Sequence, residues 1–153
     1  MRAINHALTG AITGLVVAEP SFALSLAFIS HFAQDVVPHY DLPGDEQTRL
    51  RASQFVPQLI IDALLCLGLV LVIVLARPRQ WVAGCICAFL ATSPDLMWIR
   101  KMVQVCRRGE EPSDEYWWER FHAWVQWSTG PNLWWVEVFW FVVGGVVLWQ
   151  LLI

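Results

Sequence analysis

With 153 residues, the chain has room for one domain and not for a second sizeable core. Apolar residues make up 57% of it and charged residues 15%, against roughly 45–50% and about 25% in ordinary soluble domains. Lipid is therefore the expected solvent, and a net charge of −3 without any basic stripe offers no footing for a nucleic-acid partner.

Segments 3–18 and 21–37 are apolar, shorter than a full span, and separated by Glu19-Pro20, where proline removes a helix hydrogen bond. They read as a tight, embedded helical hairpin. Arg2 ahead of an apolar run resembles a secretory signal, but no small-x-small cleavage site follows and the next helix is equally apolar. His6 is thus expected to be retained, with Asn5 before it as a helix cap. "SHFAQDVVPHYD" closes the hairpin, and Pro38 stops its second helix. The "LPGDEQTRLR" that follows reads as a plain loop.

Segment 56–76 is the clearest transmembrane helix, since about 20 apolar residues span a bilayer and Asp62 is its one charge. Segment 81–99 is the second span, interrupted late by Pro94-Asp95, and 133–153 is the third, with Glu137 near its start. Between them, "PSDEYWWERFHAWVQW" reads as a helix capped at Pro112-Ser113, lying in the membrane interface on its tryptophans. The predicted fold is all-α: a single membrane-embedded domain over residues 1–153, an integral bundle of about six helices. Cys66, Cys85, Cys87 and Cys106 lack zinc-knuckle spacing and read as buried free thiols.

If the segments cross in order, eight of the ten basic residues fall on the side of the N-terminus, leaving Arg77 and Arg79 opposite. By the positive-inside bias that side is cytoplasmic. His6, His31, Asp35, Asp62, Asp95 and Glu137 fall toward the same side, and His39, Asp41 and His122 flank it. Charged groups in hydrocarbon are costly and so face a cavity or one another. The pattern predicts one shared polar pocket.

Each residue has a chemical and a plainer reading. His31 and Asp35 leave one helix face a turn apart, as a metal-ligand pair or as a helix-ending hydrogen bond. His39 and Asp41 are ligands, substrate-facing groups or a solvated cap. His6 is a ligand or faces headgroups; so does His122, with Gln126 one turn on to orient it. Asp62 is a functional acid or a packed hydrogen-bonding group. Asp95 is a ligand or general base beside a kink that frees backbone carbonyls. Glu137, among tryptophans and large aliphatics, needs a cationic partner or a metal.

"NHALTGAITG", "SHFAQDVVPHYD", "SPDL" and "RFHAWVQW" together resemble the small branch of the membrane-bound, metal-dependent hydrolases of bacterial inner membranes, a group remotely related to zinc-dependent phospholipase C. The resemblance implies a multi-pass inner-membrane protein whose pocket faces the cytoplasm and holds a divalent metal (zinc, or else manganese or iron). The resemblance covers His6, His31, Asp35 and Asp95 and, more loosely, His122 and Glu137; the expected ligands are His6, His31, Asp35, His122 and Glu137, with Asp95 and, from its place within a span, Asp62 as further ligands or catalytic base. The expected substrate is an ester or phosphoester of a membrane lipid or amphiphile, the lipid being inferred from the location of the pocket in the membrane. Larger members carry a further Asp and His after Pro-Asp and a later segment with two histidines, both absent here. Two rivals stand beside this reading: a transporter passing protons or divalent ions through the same groups, and a non-catalytic scaffold descended from such an enzyme.

Overall fold

The computed structural model describes residues 1–109, 111 and 116–153. The described residues form an all-α bundle. Helix α1 (Ala3–Val16) and α2 (Pro20–Asp35) make the predicted hairpin, hinged where the Glu19 side chain caps α2 by accepting from the Phe22 amide. The short α3 (Glu46–Arg51) corrects the loop expected there: the Asp45 carboxylate accepts from the Thr48 amide and starts a helical turn, and Leu50 is buried beneath it. α4 (Phe55–Ala76) is the long apolar rod foreseen.

The next rod runs further than the sequence suggested, from Trp81 to Arg108. It is built from α5 (Trp81–Thr92), a 3-10 turn over Ser93–Leu96, α6 (Met97–Val103) and a π turn over Gln104–Arg108. Pro94 is absorbed in the 3-10 turn instead of ending the helix. Arg100 and Lys101, which looked like a terminus, pair with Glu119 and Glu46. α7 (Trp117–Val125) and α8 (Trp134–Leu152) complete the bundle. The expected cap at Pro112-Ser113 lies outside the described residues; the Tyr116 amide donates to Glu119 at the helix start. Asn5 is no cap either, because α1 begins at Ala3 and leaves Asn5 inside it.

α1 is the central helix, packed most extensively on α5 and also on α2, α8 and α4. At 14 residues it is about 21 Å long, too short to span alone, and its neighbours enclose it. Gly10 and Gly14 permit the close α1–α5 approach: a Cβ at Gly10 would lie 2.3 Å from the Cys87 carbonyl oxygen, and one at Gly14 2.4 Å from that of Ala83. Ile4, Leu8, Leu69, Ile73 and Leu148 fill the apolar core.

The outside is greasier than the inside. Leu64, Leu67, Leu71 and Leu75 of α4 and Phe139, Val142, Val146 and Trp149 of α8 are exposed, while imidazoles and carboxylates are buried. That inversion suits lipid as solvent. Among the described residues three helices are long and apolar enough to cross a membrane: Phe55–Ala76, Trp81–Arg108 and Pro131–Leu152. Of the cysteines Cys87 is buried, Cys66 and Cys85 are half-buried, and Cys106, contrary to expectation, is exposed, with its thiol donating to the Leu50 carbonyl.

Candidate metal centre

At the end of the bundle that holds the chain start, side chains from α1, α2 and α7 and the turn after α5 converge on Asp35. His31 and Asp35 occupy the last turn of α2, and both are fully buried. Asp35 Oδ2 lies 3.2 Å from His31 Nε2 and 2.9 Å from His122 Nε2; Oδ1 lies 3.2 Å from His6 Nε2 and 4.0 Å from His39 Nε2. All four histidines of the chain thus turn the same ring nitrogen toward one carboxylate. Asp95 Oδ1 stands 3.9 Å from His31 Nε2 and 4.0 Å from that of His122.

The opposite ring nitrogens explain this orientation. His6 Nδ1 meets Gln34 Oε1 at 2.8 Å, His31 Nδ1 the Ala91 carbonyl at 2.8 Å, and His39 Nδ1 the Val37 carbonyl at 2.8 Å. Each acceptor requires an N–H there, so in the neutral ring each of these three Nε2 atoms carries a lone pair. His6 Nε2 accordingly makes no hydrogen bond with Asp35 despite their closeness, because both are acceptors.

His31 Nε2 and His122 Nε2 are 2.8 Å apart, and two lone pairs at that distance repel unless a proton or a cation lies between them. Donors around a tetrahedral zinc are spaced about 3.3 Å apart, given bonds of about 2.0–2.1 Å. The cluster approaches that spacing. His6, His31 and Asp35 form one set of donors that could hold an ion, and His31, Asp95 and His122 another. A buried carboxylate also demands positive charge beside it. The Met1 ammonium supplies some of it, donating to Asp35 Oδ1 at 2.6 Å.

Three residues read from the sequence lie elsewhere. Asp62 pairs with Arg2 at 3.0 Å, where the ionic contact satisfies it. Glu137, expected as a ligand, instead accepts from the amides of Arg2 (3.0 Å) and Tyr40 (3.3 Å) and from Asn5 Nδ2 (2.7 Å). Three donors, not a cation, offset its burial. Asp41 pairs with Arg49 outside the cluster. Gln126 donates to Asp35 Oδ2 at 3.1 Å and so holds the carboxylate as well as facing His122.

One contributor went unnoticed in the sequence and a second was left unplaced. Gln34 fixes the His6 ring while its own amide nitrogen donates to Thr9 Oγ1 at 2.7 Å; its position three after His31 was the available signal. His39 was seen but not placed. It is carried in by a short bridge between loops: its amide donates to the Ser128 carbonyl, and its carbonyl accepts from the Gly130 amide. Burial, with the Met1 ammonium nearby, holds the His39 imidazole below its ordinary pKa and keeps it neutral.

The cluster opens on one side into a cavity of about 120 Å³ whose lining includes Met1, His39, Asp95 and Gln126. The protein is thus an all-α bundle with helices long and apolar enough to cross a membrane and a His/Asp cluster at one end that could bind a metal beside an open pocket. No family model, curated protein or solved structure gives a significant match to the chain.

Proposed function

We propose that the protein is a metal-dependent hydrolase of the bacterial inner membrane, acting at the cytoplasmic face on an ester or phosphoester of a lipid or amphiphile. The observation that carries this reading is the set of imidazole Nε2 atoms converging on the two oxygens of buried Asp35 beside an open cavity. His6, His31, Asp35 and His122 would hold a divalent ion, zinc by the nitrogen-rich donor set, with manganese or iron as alternatives. Such an ion lowers the pKa of a bound water and polarises the scissile oxygen.

Asp95 faces the cavity, is partly exposed and is further from the imidazole nitrogens than Asp35 is. It is placed to accept the proton of an attacking water. His39, neutral and also lining the cavity, can take up or return a proton at Nε2. The cytoplasmic assignment rests on the eight basic residues at this end of the chain's topology.

Metal analysis of purified wild type and His31→Ala, together with chelator-sensitive hydrolysis of ester and phosphoester amphiphiles, tests the proposal. One equivalent or more of metal in wild type, lost in the variant, is expected. Equal metal content in both proteins overturns it.

A further inference from the structure

The cavity beside the cluster has a composition of its own. Arg2 and Arg49 line it together with the carboxylates of Asp41, Asp62 and Asp95 and the apolar side chains of Leu50, Phe55, Leu59 and Trp98. These residues come from the start of α1, from α3, from α4 and from α6, so the cavity is assembled by the tertiary fold. Each guanidinium is anchored on one edge by a carboxylate: Arg2 Nε by Asp62, with Nη2 on the Gln58 carbonyl, and Arg49 Nη1 by Asp41. A guanidinium offers five N–H donors, and these contacts use only some of them. The anchors therefore fix two planar cations at the cavity while leaving N–H groups for a ligand.

We infer that this cavity binds the phosphate of a lipid headgroup, with Arg2 and Arg49 as the phosphate-recognition residues, which narrows the substrate of the proposed hydrolase to a phosphoester; this inference rests on that reading. The charge of each guanidinium is already met by Asp62 or Asp41, so recognition falls to the N–H edges left over, and the several oxygens of a phosphate match that forked donor geometry better than the single carbonyl of a carboxylic ester.

Size and lining decide between a lipid and a free ion. A volume of about 120 Å³ falls below the roughly 300–1,000 Å³ of pockets that enclose a whole drug-sized ligand, so it admits a headgroup and leaves the chains outside. Phe55, Leu59 and Trp98 supply an apolar wall, and the exposed Ile60, Leu64 and Leu67 continue α4 outward as a lipid-facing surface. Inorganic phosphate would use the arginines and waste that wall.

Titration calorimetry of the full chain in detergent tests this, using inorganic phosphate, dihexanoyl phosphatidic acid and neutral dihexanoylglycerol as probes. Metal content is measured on the same samples. Wild type is expected to bind the phosphatidic acid at least tenfold more tightly than either other probe. Arg49→Gln, on the peripheral α3, should weaken phosphatidic acid tenfold or more with metal content unchanged, and Arg49→Lys should recover part of the loss. Equal affinity for the neutral lipid, or no effect of Arg49→Gln in protein whose circular dichroism matches wild type, overturns phosphate recognition. Equal affinity for inorganic phosphate overturns the lipid assignment. If wild type binds the phosphatidic acid as expected but holds no metal, the pocket stands and the hydrolase reading falls.

Discussion

Replacing Gly10 by alanine probes the contact on which the bundle is centred. The added methyl would lie 2.3 Å from the Cys87 carbonyl oxygen and 2.6 Å from Ala91 Cβ, where ordinary contact begins near 3.4 Å. α1 and α5 must therefore part by about 1 Å. Neither obstacle is the end of a flexible side chain, so the backbone has to give, and overpacking of this kind costs about 1–3 kcal/mol. The displacement also reaches the cluster, because His6 is one turn before Gly10 on the same face and Ala91 supplies the carbonyl that holds His31 Nδ1. Gly145→Ala is the control: a Cβ there meets nothing within 4 Å, and removing a mid-helix glycine stabilises by roughly 0.5–1 kcal/mol. Thermal and denaturant unfolding in one detergent, followed by circular dichroism, should rank Gly145→Ala at or above wild type and Gly10→Ala clearly below it. If Gly10→Ala unfolds with wild type, the intimate α1–α5 contact is not formed and the placement of His6 built on it is wrong.

Other expectations follow from the cluster and its surroundings. Gln34→Met removes the acceptor that fixes His6 and should weaken metal binding about 10–100-fold in a chelator competition, with little change in helicity. Glu137→Gln turns one accepting oxygen into a donor facing donors, so stability should drop by about 1–3 kcal/mol while metal stoichiometry is kept; loss of metal would return Glu137 to the ligand set. Protons compete with metal for the imidazoles, so acidification from neutral pH should release the ion progressively, as read by a colorimetric indicator. Trp117, Trp124 and Trp127 are exposed on and just after α7, and lipids brominated near the headgroup should quench them more than lipids brominated at the chain end.

Much of this arrangement is readable in the residues themselves. His31 and Asp35 share a face by helical spacing alone, and the Pro94-Asp95 pair announces a helix irregularity carrying an acid. Depth along a span is also legible, which is why Asp62 and Glu137 were assigned to the correct end. Azimuth is not: whether a carboxylate at that depth meets an imidazole or a guanidinium depends on helix rotation, and Arg2 and Asn5 reached those two acids first. His39 escaped placement because a long-range pairing of two loops positions it, with no periodicity to reveal it. α3 hid in a polar stretch too short for an amphipathic pattern, and only Asp45 three residues before Thr48 hinted at a start.

The 3-10 turn at Ser93–Leu96 sets stability against chemistry. In an unbroken α-helix the Ala91 carbonyl would also accept from the amide four residues on, and that amide would compete with the His31 ring for the anchor that selects its tautomer. Repairing the break with Pro94→Ala would follow every rule for strengthening a helix, yet it would disarm the histidine at the middle of the cluster. A stability screen of this chain would therefore favour that substitution, and a screen for bound metal would discard it.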